Sequence, residues 1–483
     1  MPMKSGNKYL LWIILAALAV LIGVGGAALW SWYSGGGLQK AVLEQFSSRV
    51  VQNQSQMNLL EEVLGNTAPQ TYLVLFLNNT ELRPAGGFIG AYAVVKIDKS
   101  KPQIIKVEGT EILDNLAPKD FPAVPPEPLK KYLFIDRWNL RDSNWSPDWP
   151  TAAAKALELY KQEHGVSADE VSGVIGFTPT IFEELLKITG PLKVGTEEFN
   201  AQNFTEKLEY EVEYGYAQHG LDFDARKQIL VELSQVVMKK MIQNIWTYWP
   251  QYLNLAQHML DEKQIAAYST KPEVEQVVLA QGWGGEMKNY PGDYLLWVDA
   301  NLASLKTDLV IDRSLTYTIS PAPGGKYLAK ATMHYVHSGQ FDWRTSRYRD
   351  YARIFVPVGS RLVKTTGAMK TDRSTEPGTV DQGVENGRQW FGTFISIEPG
   401  KTGDLSFEFE LSPEVVKLLQ SGTYTLYAQK QIGTLQPKLT LNLDFGRDIV
   451  SAVPTEKPEN FGDKKYTLET DLLVDRSINI QLK

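Results

Sequence analysis

The sequence predicts an α/β region followed by an all-β region, both carried behind one N-terminal membrane-spanning helix. Three observations predict this order. Residues Leu10–Trp30 form a run of 21 residues without a charge. From Thr71 to Val298, short apolar runs alternate with segments of helical period, the pattern of a mixed sheet with helices on both faces. After Leu305 the helical periods give way to short strands separated by Gly/Pro turns, with one exception at Pro413–Leu419.

The N-terminal run is the first element. At 1.5 Å per residue it is about 30 Å long, the thickness of a bilayer's hydrocarbon core. Lys4 and Lys8 precede it, and Trp30, Trp32 and Tyr33 follow. Basic residues on one side and an aromatic belt on the other predict a single span, N-terminus in and C-terminus out. The alternative is a cleaved signal peptide, with Gly25-Gly26-Ala27-Ala28 as its small-residue cleavage zone. Both readings place the bulk of the chain outside the cytoplasm. The expected organisation is a cytoplasmic tail (1–9), the transmembrane helix (10–32), a stalk helix (33–70), the α/β domain (71–305) and a β-sandwich domain (306–483).

Composition bounds the partners. A chain of 483 residues, 43% hydrophobic and 22% charged, has room for two or three cored domains. A net charge of −7 leaves no dominant basic face, which argues against nucleic acid. The absence of cysteine excludes disulfides, thiolate nucleophiles and cysteine-held metals, and in an exported protein it points to a bacterial source. None of the five histidines pair at His-x3-His spacing.

Gly35–Gly37 reads as a joint. Leu38–Leu64 follows as an amphipathic stalk, with Val42, Phe46, Val50, Met57 and Leu60 near one stripe, ended by Gly65-Asn66 and Pro69. Strands are expected at Tyr72–Leu77, Gly87–Asp98 and Gln103–Glu108. A proline-rich flap spans Ile112–Asp148. Next come a helix over Thr151–His164, with Pro150 in its first turn and Ser146 or Asp148 as cap, and a strand at Ser172–Phe177. A helix over Pro179–Ile188 is capped by Thr178 and ended by Gly190. Asn203 and Glu206 form a capping box for another helix. A long helix over Asp224–Asn244, a strand at Gln264–Tyr268, the helix Pro272–Gln281 and the strand Tyr294–Val298 complete the β/α order. The tail strands, from Ser314–Ile319 to Ile478–Leu482, predict an immunoglobulin-like sandwich.

Two polar stretches stand out. LNNTELRPAGGFIG (Leu77–Gly90) joins two buried strands, and LRDSNWSPDWP (Leu140–Pro150) runs into a helix N-terminus. In open α/β sheets the carboxyl ends of strands and the amino ends of helices are where ligands and anions bind.

These stretches belong to a series of collinear blocks: NNTELRPAGGFIG, LRDSNWSPDWPTAA, VSGVIGFTPTIFEELLKITGPLKV, GDYLLWVDANLASLKTD, YRDYARIFVPVGS, FGTFISIEPG and YAQKQIGT. Together they resemble an uncharacterised prokaryotic family, domain of unknown function 4012, over most of residues 71–440. That resemblance implies no known activity. The order of apolar strand, Arg-bearing loop, strand, Arg-Asp loop, helix, strand, helix and Gly-Pro-Leu-Lys-Val is also similar to the LytR-CpsA-Psr transferases. These membrane-anchored enzymes move glycopolymers from a polyprenyl-pyrophosphate carrier to the cell wall, with arginines on the pyrophosphate and an acidic residue on magnesium. By position the resemblance implies Arg83, Arg141 and Asp142 as catalytic residues, with Asp142 as the magnesium ligand. Where the transferases carry Arg-x-Asp in the first loop, this chain has Arg83-Pro84-Ala85.

Arginine donors and a hard cation held by oxygens are what pyrophosphate transfer requires. Asn78, Asn79, Glu81, Gly86, Gly87, Asn144 and Asp148 are the ligand-binding candidates beside the implied catalytic set. Each has an architectural alternative. Arg83 can pair internally with Glu81 or Asp142, while Asn79 and Asn144 satisfy turn backbone. Gly86-Gly87 suits a tight bend as well as a phosphate cradle. Trp138, Trp145 and Trp149 either stack on sugar or lipid, or pin the flap.

The leading expectation is therefore a membrane-anchored, extracytoplasmic cell-envelope protein that binds an envelope ligand or partner. The bilayer is engaged through residues 10–32. The second expectation is a magnesium-dependent transferase acting on a cell-wall glycopolymer or polyprenyl-pyrophosphate lipid. A third makes the chain a surface spacer.

Overall fold

The computed structural model describes residues 61–483, apart from residues 100, 119, 121, 196, 216–235, 238–239 and 241–242. The expected membrane-spanning segment, the stalk up to residue 60 and most of the helix expected over Asp224–Asn244 lie outside the described residues. Among the described residues no helix is long and apolar enough to cross a membrane. The chain is a mixed α/β protein of several sheets with a strand-rich C-terminal region.

The first described turn ends a helix at Gly65, whose φ of 68° takes the left-handed conformation glycine tolerates. The N–H groups of Gly65 and Asn66 close on the carbonyls of Glu62 and Glu61. Three strands then form a meander: β1 (Gln70–Asn78), β2 (Phe88–Asp98) and β3 (Lys101–Gly109). The flap carries two short helices, α1 (Thr110–Leu116) and α2 (Glu127–Leu133). It leads into α3 (Trp149–Gln162), which Asp148 caps by accepting from the N–H of Thr151. Pro150 sits in its first turn, where a missing N–H costs nothing.

The crossover through α3 delivers β4 (Val171–Phe177) parallel to β1. It is followed by α4 (Thr180–Thr189), the small hairpin β5 (Leu192–Val194) and β6 (Glu197–Phe199), and α5 (Phe204–Tyr210). Thr178 does not cap α4; its hydroxyl donates to Gln264. Asn203 stands at the N-cap of α5 but makes no side-chain cap, accepting instead from the N–H of Asn200. Next come α6 (Ile245–Asp261), β7 (Ile265–Ser269) and α7 (Pro272–Ala280). The five-stranded sheet has the order β3-β2-β1-β4-β7.

Its continuous apolar strands are explained by cover on both faces. Tyr72, Val74, Val95 and Phe177 pack under α4, α5 and α6. Leu73, Leu75, Tyr92 and Val174 pack under α3, where Trp149, Ala152, Ala153 and Ala156 are buried.

The strand β8 (Asp293–Val298) was expected to complete the α/β order. It lies instead inside a different sheet. The strand-rich region adds β9 (Ile311–Ala322), β10 (Lys326–His337), β11 (Tyr348–Pro357), β12 (Arg361–Thr366), β13 (Asp381–Glu385), β14 (Arg388–Ile397) and β15 (Thr402–Glu410). After α8 (Pro413–Gln420) come β16 (Thr423–Gln429), β17 (Lys438–Asp444), β18 (Ile449–Val453), β19 (Lys465–Asp471) and β20 (Arg476–Leu482). They form a six-stranded sheet, β12-β15-β10-β9-β17-β19, and a seven-stranded one, β13-β14-β11-β8-β16-β20-β18. Inward residues of both, among them Tyr317, Phe407 and Leu441 on one side and Ile354, Phe391 and Leu426 on the other, make one core. The arrangement departs from the immunoglobulin pattern: β8 pairs parallel with β16, and β9 parallel with β17. The edge strands β12, β13, β18 and β19 escape the alternation rule because most of their residues face solvent at least in part.

Candidate functional site

The two polar stretches meet. Residues 79–87 leave the carboxyl end of β1, and residues 140–148 lie against them. The Asn144 amide donates to the carbonyls of Ala85 (3.2 Å) and Gly87 (2.8 Å), while the Ala85 N–H donates to the Asn144 carbonyl. The glycines let the first stretch fold back on itself. A Cβ on Gly87 would stand 2.2 Å from the Asn78 carbonyl oxygen, and Gly86 has a φ of 111°. Gly86-Gly87 is thus a close backbone approach rather than an open cradle.

The arginines are spent internally. Arg83, whose side chain is 4% exposed, donates from Nε to Asp142 (3.2 Å) and from Nη2 to Glu81 (3.3 Å). Its Nη1 donates to the Asn301 carbonyl at 2.7 Å, and its guanidinium lies 5.3 Å from the Phe88 ring centroid. Burial lifts the Glu81 carboxyl to about 6, despite the opposing pull of Arg83 and Lys306. Arg141 does not join Arg83 on a common target; its Nε donates to the buried carboxylate of Asp114. The arrangement expected of a pyrophosphate clamp, two arginines free to close on one anion, is not formed.

The remaining candidates are equally engaged. The Asn78 amide donates to Glu209, and its oxygen accepts from the N–H and hydroxyl of Thr80. Asn79 donates to the Thr180 hydroxyl and the Gly433 carbonyl. Asp148 divides its oxygens between the α3 cap and the N–H of Met287, 2.8 Å away. Trp149 is fully buried, so close to β4 that a Cβ on Gly176 would meet its ring at 2.2 Å. Trp138 donates to the Asp142 carbonyl, and Trp145 packs against Tyr351 under the Arg353 guanidinium. Trp138 and Trp145 pin the flap, and Trp149 anchors α3 on the sheet.

These residues do not fit magnesium. Asp142 already accepts from Arg83, and among the described residues no group of three or more His, Asp or Glu side chains is placed to hold a metal ion.

What the junction does is join the sheets. The loop after β1 is hydrogen-bonded to the loop after β8: Asn301 N–H to the Leu82 carbonyl, Asp308 N–H to the Thr80 carbonyl, and Leu82 N–H to the Asp308 carboxylate. From the end of β16, Gln431 donates to the carbonyls of Arg83 and Asp299, and Lys430 donates to those of Glu262 and Thr434. A Cβ on Gly433 would stand 2.5 Å from the Gly86 oxygen. Behind this seam, Arg313 is held by Asp299 and Asp308, while Asp350 accepts from the Ala300 N–H. Burial first, then Asp299, pushes the Asp350 carboxyl far above the ordinary range.

Sequence reasoning missed Asn301, Asp308, Lys430 and Gln431 as parts of this seam. They lie in two of the collinear blocks, but no local spacing ties a loop near residue 300 to one near residue 80. It also missed Asp114 and Glu163, two buried acids that hold residues 139–141.

Residues 67–213 match the model of the family described as "Protein of unknown function (DUF4012)". The likeness to that uncharacterised family is therefore shown over β1 to β6 and α1 to α5, and the match ends before α6, β7 and the strand-rich region. No curated protein matches the sequence. Among solved structures, a provisionally assigned nutrient binding protein of Legionella pneumophila is 7% identical, with a TM-score of 0.24 over 39% of this chain and 71% of that one. An M1 zinc metallopeptidase of Deinococcus radiodurans is 13% identical, with a TM-score of 0.18 over 35% of this chain and 42% of that one.

Proposed function

We propose that this is an outward-facing cell-envelope protein, anchored by residues 10–32, that holds an envelope ligand or partner without transforming it. The observation that carries the non-catalytic part is the internal pairing of Arg83 with Glu81 and Asp142, and of Arg141 with Asp114. Arg83, already desolvated and matched in charge, has little left to offer a pyrophosphate, and freeing either arginine would leave buried carboxylates unpaired.

The layout supports tethering from one end. Lys99 N–H donates to the Gly65 carbonyl, so the first described residues meet the sheet where β1 begins. The seam to the two β-sheets lies at the other end of β1, beyond Asn78, nine residues and about 30 Å away. On this reading the α/β part is proximal to the membrane and the strand-rich part distal.

A lipid-pyrophosphate binding assay on the full-length chain, with and without magnesium, tests the non-catalytic reading. No magnesium-dependent binding or turnover is expected. Magnesium-dependent turnover abolished by Arg83→Lys in a folded protein would overturn it. Protease treatment of intact cells tests the orientation: a C-terminal tag should be removed from outside, and a tag that survives on whole cells but is lost on lysis would contradict it.

A further inference from the structure

We propose that Asp114 and Glu163 form a proton-operated latch, in which one shared proton holds the flap segment 110–142 against the α/β core and its loss loosens that segment. This inference is independent of the proposed envelope role.

The geometry is that of two acids gripping one turn. Glu163, 2% exposed at the C-cap of α3, accepts through Oε1 from the N–H of Leu140 and the amide of Asn139, both at 3.0 Å. Asp114, 3% exposed on α1, holds the Nε of Arg141 through Oδ2. The second oxygen of each acid, Glu163 Oε2 and Asp114 Oδ1, is buried and receives no N–H or hydroxyl. The two acids hold neighbouring residues, Leu140 and Arg141, which leaves each unpartnered oxygen as the other's available mate for a carboxyl–carboxyl hydrogen bond. Two carboxylates cannot make that bond; it requires one proton between them.

The charged groups acting on the pair are Arg141 and Asp142, both from the gripped turn. Arg141 favours a charged Asp114, and Asp142 opposes it. One cation therefore faces one carboxylate and one shared proton. Burial first, and Asp114 second, raise the Glu163 carboxyl to about 8. The sign follows from a folded-state value above the ordinary 4.5. The latch is closed at lower pH and is lost as pH rises through about 8, when two buried anions share one arginine. The segment at stake carries Trp138, which covers Ala117 and Leu159, and three exposed apolar side chains, Leu116, Val124 and Phe134.

Hydrogen exchange on the full-length chain, corrected for the intrinsic pH dependence of the chemistry, provides the test. Between pH 6.5 and 9, wild-type residues 110–142 should lose at least tenfold in protection while β1 and β4 stay unchanged. Glu163→Gln should be flat across the range, since its amide can donate to Asp114 permanently while its oxygen still accepts from Leu140. Asp114→Asn, donating in the other direction, should also be flat. A wild-type flap equally protected at both pH values overturns the proposal whatever the variants do. So does an equal loss of protection in wild type and in either folded variant.

Discussion

Arg83 Nε donates to Asp142 Oδ1 at 3.2 Å, joining two bends that stand 59 residues apart in the chain. The contact lies in a region where three sheets come together, and both partners are almost wholly shielded from water. It is a joint between two loops that the sequence offered as ligand-binding candidates.

If that joint is structural, Arg83→Ala should destabilise the protein by about 3–5 kcal/mol, because Asp142 is left buried without its cation. The denaturant midpoint measures this. The double variant Arg83→Met/Asp142→Leu should recover much of the loss, which a ligand-binding arginine would not do.

Asp308 receives the N–H of Leu82, the amide of Asn301, the Tyr348 hydroxyl and Arg313. Replacing it with alanine removes acceptors on both sides of the seam. Calorimetry of the wild type should show one transition, and Asp308→Ala should split it, the α/β part melting apart from the strand-rich part.

Gly433 has a φ of 79° and lies against the Gly86 backbone. Gly433→Ala should therefore cost about 1–3 kcal/mol from overpacking alone, with added strain from the positive φ. A melting temperature unchanged from wild type would show that the seam is looser than its contacts indicate.

Asp293 is fully buried, and burial raises its carboxyl from 3.8 to about 6 although Tyr424, Tyr317 and the Tyr294 N–H all donate to it. A folded-state value above the unfolded one means the native state holds the proton more tightly. Its contribution is present below pH 3.8 and is lost as pH rises through about 6, a change of about 3 kcal/mol. Glu81, raised to about 6 from 4.5, has the same sign. Urea midpoints measured from pH 4 to pH 7 should carry this downward component, and Asp293→Asn should flatten it.

The sequence by itself determined the local elements. Period-2 and unbroken apolar runs located β1 to β4, and Pro150 with Asp148 located the start of α3, because strand pleat and helix capping depend on residues only a few positions apart. It also singled out the two stretches that meet, since Gly-Gly and paired asparagines mark places where backbone must turn or approach closely. Which sheet β8 enters, and what Arg83 faces, were decided only by tertiary structure. A fully apolar strand such as YLLWV suits any covered sheet. The charge of an arginine likewise does not specify whether its partner is a ligand or a carboxylate 59 residues away. Folding decided both by bringing the β1, β8 and β16 ends together, where the buried polar groups had to satisfy one another.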